Sequence, residues 1–129
     1  MNNVLIINNG SSFSTEATAA LEQADLRVTL IPNYHEALRE LARNGFDLII
    51  LEDGMAEMEI GDTCARLRQI SEAPIILVNG DSNKQAWVRA IEAGADFYMT
   101  EPFSIPELVA RAGALLRRRK SAHQLCKAT

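Results

Sequence analysis

Five short apolar runs punctuate the chain: Val4-Leu5-Ile6-Ile7, Val28-Thr29-Leu30-Ile31, Leu48-Ile49-Ile50-Leu51, Ile75-Ile76-Leu77-Val78 and Phe97-Tyr98-Met99. None alternates apolar with polar residues, which is the pattern of strands covered on both faces. The segments between them carry apolar residues at helical spacing, at Ala37, Leu38, Leu41 and Ala42 and again at Ala65, Leu67 and Ile70, with stop signals at Asn44-Gly45 and Ala93-Gly94. Ser104-Ile105-Pro106-Glu107 has capping-box spacing, and Leu108, Val109, Ala112, Leu115 and Leu116 give the helix that follows one apolar stripe. The pattern is strand then helix, five times over. Right-handed crossovers between parallel strands then predict an α/β fold, a doubly wound five-stranded parallel sheet with five helices on its two faces. Residues 1–120 are expected to form the domain, and 121–129 (SAHQLCKAT) a linker or tail.

Composition narrows this picture to one domain. The chain has 129 residues, 47% of them hydrophobic, enough for a single core and too few for two. No run approaches the ~18 apolar residues of a membrane span, and MNNVLIINNG has neither a basic leader nor a cleavage site, so a cytoplasmic protein without membrane contact is expected. Cys64 and Cys126 are far apart, form no CxxC pair and have only His35 and His123 as neighbours in chemistry. They read as free thiols, with no disulfide and no metal. A formal net charge of −4 argues against a duplex-binding surface, and Arg117-Arg118-Arg119-Lys120 reads as cations at a helix C-terminus.

In such folds ligands bind outside the C-terminal strand ends. Those ends carry Asn8-Asn9, Glu52-Asp53, Asn79-Gly80 and Thr100-Glu101-Pro102, which should converge on one crevice. Here three phrases, FDLIILE (Phe46 to Glu52), CARLRQISEAPIILV (Cys64 to Val78) and EAGADFYMTEPFSIPELVARAGALLRR (Glu92 to Arg118), closely resemble the receiver domains of the OmpR/PhoB branch of response regulators. The resemblance covers roughly residues 3 to 120 and implies a CheY-like strand order, 2-1-3-4-5. It also implies a site: two acidic residues after the first strand and an acceptor Asp after the third hold Mg²⁺, a Ser or Thr after the fourth contacts the phosphoryl group, and a Lys after the fifth pairs with it. The matching residues are Asn8 and Asn9, Glu52, Asn79 and Glu101, and every one departs from that pattern.

Mg²⁺ is a hard cation that wants carboxylate oxygens, and two neutral amides are poor substitutes. Glu52 is one methylene longer than Asp, whereas phosphoryl transfer depends on in-line positioning and charge neutralisation. A phosphorylated Glu52 would also add about two negative charges opposite the Glu101 carboxylate. The expectation is therefore a phosphorylation-independent pseudo-receiver, not an enzyme, with no cofactor. Alternatives remain: phosphorylation at Glu52, or at Asp53 as a displaced acceptor if a bulge turns it inward, and a small ligand or a metal in the altered crevice. Asn8, Asn9 and Asn79 can instead satisfy Glu52 and Glu101 as a closed polar cluster. Glu52 carries its charge further from the backbone than Asp, in partial imitation of a phosphorylated Asp. Tyr98 falls where receivers place the aromatic residue that swings inward on activation.

The resemblance further implies a two-fold dimer face on the fourth helix, fifth strand and fifth helix. The matching surface carries Trp87, Ile91, Asp96, Phe97, Glu107, Leu108, Arg111 and Arg118. Asp96, Glu107, Arg111 and Arg118 keep the branch's charge pattern, while Trp87 and Phe97 stand at positions usually charged in it. Trp87 and Ile91 are four apart and share a helical face; the helix is also expected to bury Val88 and Ile91, so a Trp87 tucked into the monomer is the alternative. A homodimer that forms without phosphate is the expected partner state, with DNA bound only through a C-terminal effector domain not present in this chain.

Overall fold

In the computed structural model each apolar run becomes a strand: β1 (Asn3–Ile7), β2 (Arg27–Ile31), β3 (Leu48–Glu52), β4 (Ile75–Val78) and β5 (Phe97–Met99). The helices are α1 (Ser12–Gln23), α2 (Tyr34–Arg43), α3 (Ile60–Ile70), α4 (Lys84–Glu92) and α5 (Ile105–Ala128). The structure describes residues 2–8, 12–52, 60–78, 84–100 and 104–128, and only the backbone of Ser12, Lys84, Ala86, Trp87 and 120–128. All pairings are parallel and the order is β2-β1-β3-β4-β5, the doubly wound order expected.

The unbroken apolar runs follow from the two faces of this sheet. Leu5, Ile7, Ile49, Leu51, Ile75 and Leu77 point to one side, where α2, α3 and α4 contribute Ala37, Leu41, Cys64, Leu67 and Ala90. Val4, Ile6, Leu48, Ile50, Ile76 and Val78 point to the other, against Ala17 and Leu21 of α1 and Leu108, Ala112, Leu115 and Leu116 of α5. Successive residues of one strand thus enter opposite cores, and both must be apolar.

β2 departs from the expectation of full cover. It is an edge strand, and Arg27 and Leu30 are exposed while its other residues are half-buried. The phase of α3 also differs: Thr63, Cys64 and Leu67 are buried, whereas Ala65 and Ile70 face solvent. At α5 the Glu107 amide donates to the Ser104 hydroxyl oxygen at 3.2 Å, the N-cap that the sequence spacing implies. The helix then runs on through Ala128, so the segment read as a linker or tail has helical backbone as far as 128. Among the described residues no helix is long and apolar enough to cross a membrane.

One turn at the foot of the sheet requires glycine. Gly94, between α4 and β5, has φ +122°, and a Cβ there would sit 3.0 Å from Arg68 Nε. The backbone region strains any side chain, and the Arg68 side chain would have to give by a few tenths of an ångström. Gly94→Ala should lower unfolding free energy by about 2 kcal/mol in urea titrations.

Candidate functional site

Strand register brings the first two crevice residues together. β1 and β3 are neighbours with Ile7 opposite Leu51, so the next residues, Asn8 and Glu52, lie side by side at the C-terminal end. The Asn8 amide donates to the Ile31 carbonyl at 3.1 Å, which carries β1 geometry one residue past the strand. Side-chain alternation then turns Asn8 to the side of Val4 and Ile6, and Glu52 to the side of Leu48 and Ile50. Asn8 is fully buried and Glu52 half-buried. Between them Asn8 Nδ2 donates to Glu52 Oε2.

That contact is charge-assisted, and it uses a carboxylate oxygen that a metal or an incoming phosphoryl group would need. A receiver's Mg²⁺ requires several anionic oxygens; of this pair one member is a neutral amide already spent on the other, so the two do not fit the ion. Asn9, Asp53, Asn79 and Glu101 lie outside the described residues, and Thr100, the residue before Glu101, is exposed. Tyr98 is 9% exposed, its side chain packed in the α2, α3 and α4 core together with Leu77, Ala90 and Ala95.

The second set of sequence-assigned residues falls on α4, β5, α5 and the residue before β5. Val88 and Ile91 are 43% and 40% exposed, while Ala90 is the α4 residue buried against the sheet. The expectation that α4 buries Val88 and Ile91 is therefore corrected, and the Trp87 side chain lies outside the described residues. Phe97 is half-buried, and the Arg111 guanidinium carbon lies 4.3 Å from its ring centroid, a cation–π contact. Glu107, Arg111 and Arg118 are exposed. Leu108 is a correction: it is fully buried in the core of the α5 side, because the stripe that anchors α5 to the sheet includes it, and it cannot face a second copy.

Asp96 is tied down within the chain. Its Oδ2 accepts from the Ile75 amide at 2.8 Å and pairs with Arg68 at 3.2 Å. Arg68 was not among the residues singled out from the sequence, and its phrase, Leu67-Arg68-Gln69, carries no signal for it.

Comparison with known proteins agrees with this geometry. The response regulator receiver domain pattern matches residues 4–113. Sensory transduction protein RegX3 of Mycolicibacterium smegmatis is 34% identical over 118 residues, 92% of this chain and 52% of the relative. The KDP operon transcriptional regulatory protein KdpE of Escherichia coli is 36% identical over 118 residues, 92% of this chain and 52% of the relative. The chain thus spans about half the length of these curated relatives. Among solved structures, a two-component response regulator from Clostridium difficile superposes with a TM-score of 0.85 at 26% identity, over 92% of this chain and 98% of that one. With its strand order, the matched pattern and relatives of the OmpR/PhoB family, the chain belongs to the response regulator receiver domains.

Proposed function

We propose that this receiver works without phosphorylation, as a cytoplasmic dimerisation module of a two-component-type transcriptional regulator. The observation that carries the reading is the Asn8 to Glu52 hydrogen bond, which closes on itself the place where a working receiver gathers metal and phosphoryl oxygens. Neutral or reversed charges at Asn9, Asn79 and Glu101 in the sequence point the same way. The Glu52 carboxylate and the buried Tyr98 support an active-like resting state, since no phosphoryl group is needed to hold the aromatic ring inside. Output then passes through the face of α4, β5 and α5, where Val88, Ile91 and Phe97 leave apolar surface open and Trp87 extends the series in sequence. Residues 1–120 would be the receiver and the remainder of α5 the start of a linker; DNA would be bound by an effector domain beyond it, as the length of the transcriptional relatives suggests.

Incubation with acetyl phosphate and Mg²⁺ followed by intact-mass measurement tests the first half of this reading. No mass increase is expected at any time point. A hydroxylamine-labile phosphoryl adduct, mapped by peptide mass to Glu52 or Asp53, would restore the conventional mechanism and overturn the proposal.

A further inference from the structure

Arg68 sits at the foot of the sheet, at the opposite end from the crevice, and its guanidinium forks between two loops. One nitrogen donates to the carbonyls of Ala73 at 2.6 Å and Ser71 at 3.4 Å, at the end of α3. The other donates to the Gly94 carbonyl at 2.5 Å and to Asp96 Oδ2 at 3.2 Å, at the start of β5. Since Oδ2 also takes the Ile75 amide at 2.8 Å, two donors of its own chain hold one oxygen of the Asp96 carboxylate. The other oxygen has no partner among the described residues, and the side chain is 39% exposed. Five contacts between planar groups define the orientation of that carboxylate far more narrowly than a surface Asp normally allows.

Arg118 provides the complementary half. It is exposed and has no ion pair among the described residues, although it lines the same cleft of about 470 Å³ as Arg68, Glu72 and Asp96. A cation without a partner and a carboxylate with one oxygen free thus share a surface, and a two-fold axis exchanges them between copies. Building on the dimer proposed above, we infer that Arg68 is a positioning residue of the dimer face: it holds Asp96 with its free oxygen outward, so that Arg118 of a second copy meets a carboxylate already ordered. Surface ion pairs ordinarily return little because both flexible side chains must be immobilised. Arg68 removes that ordering from one side of the pair before association, and affinity rises without Arg68 touching the second copy.

Sedimentation at low salt of the full chain, of Arg68→Gln and Arg68→Lys, and of the same changes combined with Arg118→Gln tests this. Arg68→Lys retains the charge and cannot fork, so it covers the case in which Arg68→Gln does not fold. Either change should raise the dimer dissociation constant about five-fold, and by less than two-fold once Arg118 is Gln, because the coupling runs through that one pair. A merely structural role would raise it equally in both backgrounds, alongside a lower melting temperature. Equal effects in the two backgrounds, or no effect in the wild-type one, overturn the positioning role and leave the dimer intact. A wild type that stays monomeric removes the dimer reading itself, and the positioning role with it.

Discussion

Without any phosphodonor the chain should sediment as a dimer at hundreds of micromolar, and Ile91→Asp should abolish that dimer. The scale follows from area. If Trp87, Val88, Ile91 and Phe97 together remove roughly 400 Å² of apolar surface from water across both copies, the gain is about 10 kcal/mol at ~25 cal/mol per Å². Association and side-chain ordering cost at least ~4 kcal/mol. The remainder, about 6 kcal/mol, corresponds to a dissociation constant of tens of micromolar. Ile91 is 40% exposed in the monomer, so an aspartate there is solvated and the fold should be little changed. In the dimer it would place a carboxylate in each half of an apolar contact, with a loss of at least ~3 kcal/mol, more than a hundred-fold. Trp87→Ala should weaken the dimer by a comparable amount and Arg118→Ala by well under ten-fold, because exposed ion pairs set register more than affinity. Concentration-dependent sedimentation of the four proteins, with circular dichroism for folding, decides the matter. A monomeric wild type, or an Ile91→Asp protein that dimerises unchanged, removes this face as the output surface.

The strands were legible because their physics is one-dimensional. A run such as Leu48-Ile49-Ile50-Leu51 must be apolar throughout when alternate residues enter two cores, and the crevice residues then follow as whatever comes next in the chain. Asn8 and Glu52 could be placed together on register alone. The helices were harder, since a buried position need not announce itself: Thr63 and Cys64 fill the interior side of α3, while Ile70 and Ile91 present aliphatic surface to solvent. Reading Leu108 as an outward residue failed for the same reason, as periodicity marks a stripe without saying whether it meets the sheet or a partner. Arg68 lay beyond reach altogether. Three of its four acceptors are backbone carbonyls, 3, 5 and 26 residues away, and a carbonyl has no residue identity for a pattern to detect.

Asn8→Asp should be the most informative change in the crevice, with an expected loss of about 3 kcal/mol in unfolding free energy near neutral pH. Asn8 is fully buried, and its side-chain amide donates to the Glu52 carboxylate. The substitution removes that donor and sets a second carboxylate against the first in a partly buried site, where desolvation and like charge act in the same direction. The folded variant should relieve this by holding one proton between the two groups to a higher pH than the unfolded chain, whose carboxyls titrate near ~4. The folded state then binds more protons than the unfolded state over that interval. Its stability must therefore fall as pH rises from about 4 and level off once the shared proton is gone, a contribution that the wild-type Asn8 cannot make because its amide does not titrate. Millimolar Mg²⁺ should recover part of the loss in the variant, since two adjacent carboxylates form the hard-oxygen pair that an amide and a carboxylate do not. Urea titrations of both proteins between about pH 5 and 8, with and without Mg²⁺, measure all three effects. A variant as stable as the wild type at neutral pH, with no slope and no response to Mg²⁺, would mean that the Asn8 amide does not satisfy Glu52, and the closed pair that keeps metal and phosphoryl group out would no longer account for a receiver without phosphorylation.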